Sequence, residues 1–199
     1  MLTVSTASLA VLATALATHT RERWLLTASL VLLVFGLALY CVVISRFDLR
    51  QLTRGMGDQW VAGGALAIST LAASRITLAA HKLHTLATIT RPLHNASIVL
   101  WVLAILWLAP LVAGEAARPR AHYHLARWST IFPLGMYAAS SFTLDTLTHA
   151  PALPTLAKIW TWVALCAWAT LTIGMSYCAL RQLLLRSRPR LPRATRRLG

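Results

Sequence analysis

The stretch Trp24–Ser45 reads WLLTASLVLLVFGLALYCVVIS and contains no charged side chain. A helix rises 1.5 Å per residue and the hydrocarbon core of a bilayer is about 30 Å thick, so about 20 such residues cross it. Five further runs have the same character, and six transmembrane helices are predicted at Leu2–Thr18, Trp24–Ser45, Val61–Ala80, Asn95–Gly114, Trp128–His149 and Lys158–Leu180. The predicted fold class is all-α integral membrane, with the six helices paired as three helical hairpins.

Composition separates this chain from soluble proteins. Of its 199 residues, 57% are apolar and 12% are charged, with a mean hydropathy of +0.63, whereas about a quarter of the residues in a soluble domain are charged. The net charge of +14 is of the kind found in nucleic-acid-binding proteins. The basic residues lie between the apolar runs and in the C-terminal tail, however, so we expect a lipid bilayer and no nucleic acid as partner.

The positions of lysine and arginine predict the orientation. Thirteen of the 19 follow the second, fourth and sixth runs, and only five lie on the opposite face. Cytoplasmic loops carry the excess of basic residues, so both termini are predicted to be cytoplasmic in a multi-pass protein of the plasma (inner) membrane. Residues 1–185 form the predicted transmembrane domain. Residues 186–199 form a basic cytoplasmic tail, which we expect to lie against anionic headgroups.

The six runs alternate in character. The first, third and fifth are rich in Ser, Thr and Gly, whereas the second and fourth are bulkier and more apolar. Small residues allow helices to approach closely, and hydroxyl groups can line a path or bond across helices. The pattern favours hairpins in which one helix faces an interior and the other faces lipid. Tight packing without any path explains the pattern equally well.

The fifth run contains a proline where a transmembrane helix would be expected to continue. Pro133 lacks an amide proton and is predicted to kink the helix. Phe132 precedes it directly and Gly135 adds room beside the bend. A large ring at a bend can block a water-filled path, and it can equally be ordinary core packing.

Two stretches resemble a known family. Trp128–Ala139 (WSTIFPLGMYAA) and Asp58–Thr70 (DQWVAGGALAIST) are similar to the ninth and seventh helices of the tellurite-resistance/dicarboxylate transporter (TDT) family, whose members are TehA-like and slow-type anion channel-like. The resemblance implies a ten-helix pore fold of five hairpins, of which this chain carries the C-terminal six helices. It also implies a homo-trimer, transport of small anions without any cofactor, and a gate at Phe132 with Pro133.

The resemblance leaves several points open. The resemblance leaves open whether the anion is a dicarboxylate, sulfite, a halide, nitrate or a tellurite-related species. It also leaves open whether the protein is a passive channel or a proton-coupled carrier. The first four helices of the family fold have no counterpart here. Either truncation of the chain or a wrongly assigned start would account for this. The alternative function is therefore a truncated or accessory membrane protein that does not transport by itself.

Candidate site residues follow from the inner helices. The predicted pore lining consists of hydroxyl-bearing residues on the third and fifth runs: Ser69, Thr70, Ser129, Thr130, Ser140 and Ser141. Arg75 and Asp145 fall near the predicted outer mouth. Intramembrane charges usually pair or line a cavity, so we expect them to pair, or Arg75 to draw anions into an outer vestibule. The alternative is that both side chains extend to the headgroups.

Enzymatic chemistry is not predicted. His81 and His84 share a helix face, but no third ligand has a convincing spacing for a metal site. No nucleophile and base lie together inside a run. We therefore predict a transport protein that is not an enzyme and has no metal or cofactor.

Overall fold

The computed structural model describes residues 2–46, 59–117 and 128–186, and these residues form helices and short connections without any strand. The six helices are α1 (Leu2–Thr20), α2 (Arg23–Ser45), α3 (Gln59–Leu83), α4 (Ala87–Ala117), α5 (Trp128–Thr148) and α6 (Leu153–Arg186). The predicted all-α integral membrane class is confirmed. The basic tail beyond residue 186 lies outside the described residues.

Five of these helices are long and apolar enough to cross a membrane, and α5 is the exception. Its 21 residues extend over about 31 Å, which matches the hydrocarbon core. Its many hydroxyl groups, Pro133 and Asp145 lower its hydropathy. Helices α3, α4 and α6 pack around it, as expected of a helix inside a bundle.

Neighbouring helices pack as three hairpins, α1 with α2, α3 with α4 and α5 with α6. All three connections lie at the same end of the bundle, because each joins the end of an odd-numbered helix to the start of the next. Each connection contains at least one non-glycine residue with positive φ: Arg21 (60°), His84 (48°), Leu86 (57°) and His149 (53°). The chain reverses direction sharply at these residues. Each positive φ costs about 1–2 kcal/mol relative to ordinary backbone.

Helix α3 is the centre of the bundle and packs against α1, α2, α4 and α5. Glycine allows the closest approaches. A Cβ atom on Gly63 would lie 2.6 Å from the Tyr137 hydroxyl of α5, and one on Gly64 would lie 2.9 Å from Cγ of Pro133. Helices α1 and α2 meet in the same way, since a Cβ on Gly36 would lie 2.7 Å from Oγ1 of Thr6.

The even-numbered helices carry long apolar surfaces that point away from the bundle. Exposed large apolar side chains on α2, α4 and α6 include Val31, Val34, Phe35, Val99, Leu106, Trp162 and Ile173. Such surfaces suit a lipid environment. Helix α3 is the most buried span, whereas α1 also exposes Leu9, Leu12 and Leu16. The alternation in the sequence therefore agrees with the burial of α3 but not with that of α1.

Candidate functional site

A groove of about 380 Å³ lies where the three Ser/Thr-rich helices meet. Its walls are residues of α1, α3 and α5: Thr14, Ala15, Thr18, Arg75, Leu78, Ala79, Lys82, Phe142, Thr143 and Thr146. Helix α1 contacts α3, and α3 contacts α5, so α3 forms the floor and the other two helices form the sides. The helices predicted to face an interior therefore surround one shared concave surface.

Arg75 is the one exposed side chain between Gly63 and Ala80 on α3. It lies eight residues before the end of the helix at Leu83, about 12 Å along the helix axis. A charged side chain at such a depth is expensive against lipid and usually faces a water-filled cavity. Arg75 lines the groove beside hydroxyl-bearing residues, and its part in an outer vestibule stays a prediction.

A second basin of about 550 Å³ continues the groove toward the end of the bundle. It is lined by Thr18, His19, Arg21, Arg23, Lys82 and Leu83, and it shares Thr18 and Lys82 with the groove. Lys82 lies seven residues after Arg75 on α3, which places them on one side of the helix about 10.5 Å apart. Positive side chains thus lead from the end of the bundle down to Arg75.

The groove hydroxyls already use their protons. Thr14 donates to the carbonyl of Ala10 at 2.7 Å, Thr143 to that of Ala139 at 2.9 Å, and Thr146 to that of Thr143 at 2.7 Å. Each hydroxyl has a single proton to donate. A bound anion would therefore find its hydrogen-bond donors on Arg75 and Lys82 rather than on the threonines.

Phe132 and Pro133 lie on different sides of α5. Pro133 is buried and faces Gly64 of α3, whereas Phe132 is 42% exposed. Phe132 lies eleven residues before Thr143, about three helical turns along the same side of α5. A Cβ atom on Gly135 would have no neighbour within 4 Å. By this helical spacing Phe132 lies on the side of α5 that carries Thr143, toward the other end of the bundle, and Gly135 three residues later borders open space.

Four of the predicted lining residues are buried between helices. Ser69, Thr70, Ser140 and Ser141 are each at most 1% exposed. The Ser141 hydroxyl accepts a 3.0 Å hydrogen bond from the Trp101 indole and donates one of 2.7 Å to the Tyr137 carbonyl. Thr70 donates to the Leu66 carbonyl at 3.0 Å. The bond from Trp101 joins α4 to α5, whereas the other two lie within one helix. A role of the four residues in lining a path stays a prediction.

The two remaining lining candidates lie near the start of α5. Ser129 and Thr130 are half-buried. Thr130 lines a separate, mainly apolar cavity of about 330 Å³ together with Trp60, Glu115 and Trp160. It therefore faces the α4–α6 side of α5 and not the groove.

Asp145 is half-buried on α5 and is not part of the groove wall. Neither its carboxylate nor the guanidinium of Arg75 forms an ion pair within the described ranges, so the structure does not join these two side chains. In the same ranges no group of three or more His, Cys, Asp or Glu side chains is placed to hold a metal ion.

Sequence reasoning missed most of the groove wall. Lys82 is one of the five basic residues assigned above to the opposite face, and Thr14, Thr18, Thr143 and Thr146 are not among the predicted lining residues. The spacing of Arg75 and Lys82, seven residues apart on one helix, is a signal that could have found the basic stripe. The threonines offer no such signal, because Ser and Thr occur on every side of α1 and α5.

Comparisons with known proteins give one family match and two relatives. The sequence model of the family described as "Voltage-dependent anion channel" matches residues 1–176. Two uncharacterized membrane proteins of Mycobacterium tuberculosis, from strains CDC 1551 / Oshkosh and ATCC 25618 / H37Rv, are each 34% identical over 122 residues. The match covers 58% of this chain and 61% of each relative. No solved structure matches the chain.

Proposed function

Because the chain belongs to the voltage-dependent anion channel family, we propose that it moves small anions across the membrane along the groove between α1, α3 and α5. Members of this family are channels and transporters rather than enzymes. The observation that carries the proposal is Arg75, a guanidinium group without an ion-pair partner in the described ranges that lines a concave surface at membrane depth.

Anions would enter at the basic basin. Arg21, Arg23 and Lys82 line it without an acidic side chain, so their summed field raises the local concentration of anions. Arg75 would then hold the anion inside the groove. The threonines add polarity but hold their protons on helix carbonyls, which keeps the anion weakly bound. Weak binding favours passage, because an ion that binds too tightly does not leave.

Phe132 with Pro133 would form the gate. The buried proline anchors this part of α5 against Gly64, while the exposed ring is free to move into the open space beside Gly135. An aromatic ring in a narrow path blocks ions by its size and by excluding water. Rotation of the Phe132 side chain would open the path without any movement of α5.

Three helices form only part of a pore wall, so a closed path requires further helices beside α1 and α5. We propose that additional copies or another chain supply them, with the homo-trimer implied by the resemblance as the assembly. The plasma (inner) membrane, with both termini in the cytoplasm, is the proposed location. In this orientation the basic basin opens on the outer side.

The identity of the transported anion is also a proposal. Dicarboxylate, sulfite, halide, nitrate and tellurite-related species are the candidates that the resemblance brings. A guanidinium group binds planar oxyanions through two parallel hydrogen bonds. Arg75 therefore favours carboxylates and other oxyanions over halides.

A second candidate function is an accessory membrane protein that does not transport by itself. The observation in its favour is that only three of the described helices, α1, α3 and α5, line the groove. The two functions differ in what the purified chain does alone, and a flux measurement separates them.

The test is anion flux into proteoliposomes that contain the 199-residue chain. We expect flux above that of empty liposomes, reduced at least about tenfold by Arg75→Gln, because the variant removes the charge inside the groove. Lys158→Gln is the matched control, since Lys158 is an exposed cation of α6 that lies outside the groove wall. Flux at the level of empty liposomes, with insertion confirmed, would support the accessory function instead.

A further inference from the structure

A third concave surface lies outside the groove, where α3 ends and α4 begins. It has a volume of about 560 Å³ and is lined by His81, Ala87, Thr90, Arg91, His94 and Asn95. None of these residues lines the groove or the basic basin. We call it the α4 pocket, and the transport proposal makes no use of it.

The α4 pocket is rich in hydrogen-bond donors. Arg91 offers five N–H groups, the Asn95 amide offers two, and each imidazole offers at least one. Thr90 donates its proton to the carbonyl of Leu86 at 2.8 Å and adds none. No acidic side chain lines the pocket, so a ligand with several negatively charged oxygens complements it best.

An exposed apolar stripe begins directly below the pocket. Arg91, Asn95, Val99, Val102 and Leu106 lie within about 80° of one another around α4. All five side chains are exposed, with Val99 at 56%, Val102 at 42% and Leu106 at 63%. One side of α4 thus presents polar donors at its end and a continuous apolar surface beneath them.

The depth of these residues matches the layers of a bilayer. Counting a hydrocarbon core of about 20 residues back from Ala116 places its edge near Ser97. Asn95 then lies about 3 Å and Arg91 about 9 Å beyond that edge, which is the headgroup layer. The apolar stripe falls within the acyl-chain layer.

We propose that the α4 pocket binds the phosphate of an anionic phospholipid, with the acyl chains of that lipid along the apolar stripe. Arg91 makes the charged contact, Asn95 and the imidazoles of His81 and His94 donate to the remaining phosphate oxygens, and Val99, Val102 and Leu106 contact the chains. A free phosphate would contact only the polar donors of the α4 pocket and would leave the apolar stripe uncovered, which is why we assign a lipid.

Native mass spectrometry of the purified 199-residue chain tests the proposal, with phosphatidylglycerol and phosphatidylcholine of identical acyl chains offered together. We expect bound phosphatidylglycerol to exceed phosphatidylcholine in the wild-type chain. Arg91→Gln should lower that ratio about fivefold, as expected for one basic contact to an anionic headgroup. Lys158→Gln, which removes a cation of α6 away from the pocket, should leave it unchanged.

A ratio of bound phosphatidylglycerol to bound phosphatidylcholine near one in the wild-type chain overturns the proposal by itself. An unchanged ratio in folded Arg91→Gln overturns it too. If Arg91→Gln does not fold, Asn95→Leu replaces it, and a drop of about twofold is expected because one donor is lost and the apolar stripe remains. Displacement of the lipid by an equal concentration of glycerol 3-phosphate would assign the pocket to a soluble phosphate compound and reject the lipid.

Discussion

The hydroxyl group of Tyr137 on α5 donates a 2.9 Å hydrogen bond to the backbone carbonyl of Ala104 on α4. The same hydroxyl lies over Gly63 of α3, and the tyrosine ring lies 5.6 Å from the ring of Trp160 on α6. Four helices therefore meet at this side chain. It lies one helical turn after Pro133, which packs against Gly64 of α3.

The Tyr137–Ala104 contact predicts a measurable loss of stability in Tyr137→Phe. The side chain is fully buried, and interhelical hydrogen bonds in membranes contribute about 0.6 kcal/mol on average with a maximum near 1.7. We expect a decrease of about 0.5–1.5 kcal/mol in the free energy of unfolding in mixed micelles. Tyr177→Phe removes a hydroxyl from an exposed tyrosine of α6 and should change nothing. Equal losses in the two variants would show that the interhelical bond is not the cause.

Substitution by alanine should change stability in opposite directions at Gly64 on α3 and Gly135 on α5. In Gly64→Ala the new Cβ would lie 2.9 Å from Cγ and 3.3 Å from Cα of Pro133, so the helices must separate, at about 1–3 kcal/mol. In Gly135→Ala the methyl group meets open space, and the higher helix propensity of alanine stabilises α5 by up to about 1 kcal/mol. Thermal unfolding of the two variants in detergent measures the difference. A more stable Gly64→Ala than Gly135→Ala would contradict the packing described here.

The fold class could be predicted because length and apolarity suffice for it. The run Trp24–Ser45 became α2 with its start moved by one residue. Helix α4 instead begins at Ala87, eight residues before the predicted start at Asn95. Hydropathy detects only the part of a helix inside the hydrocarbon core, whereas the first turns of α4 lie beyond that core, where polar residues are tolerated. The α4 pocket is located in this undetected part.

The three helices of the groove and one residue of its wall, Arg75, were predicted from the sequence, but none of its threonines was. A count of Ser, Thr and Gly identifies α1, α3 and α5 as interior helices. The same count cannot tell Ser140 and Ser141, which are buried, from Thr143 and Thr146, which line the groove. Hydroxyl side chains bond to the carbonyl of the preceding turn on any side of a helix. Which side faces the groove is decided by the packing of α5 on α3, at Gly63 and Gly64.

The gate predicts a gain of function in Phe132→Ala. Removing the ring leaves the space beside Gly135 open, so anion flux in proteoliposomes should rise several-fold without a change in protein content. Phe142→Ala is a closely matched control, because Phe142 lies on the same helix and is also 42% exposed. It belongs to the wall of the wide outer groove, where loss of a ring should alter flux less than twofold. A similar rise in both variants would indicate a general loosening of α5 instead of a gate.

The two cations of α3 predict different dependences on salt. Lys82 lies where the groove meets the outer basin, and in the proposed path its main effect would be to attract anions over distance. This attraction is screened beyond about 10 Å at 0.1 M ionic strength. Lys82→Gln should therefore lower anion flux about threefold at 20 mM salt and hardly at all at 500 mM. Arg75 lies inside the groove and in the proposed path would contact the anion directly, so Arg75→Gln should lower flux at both concentrations. Lys158→Gln should give the wild-type flux at both salt concentrations, which would exclude an effect of net charge. A loss in Arg75→Gln that disappears at 500 mM would place Arg75 among the attracting charges and leave the groove without a binding residue.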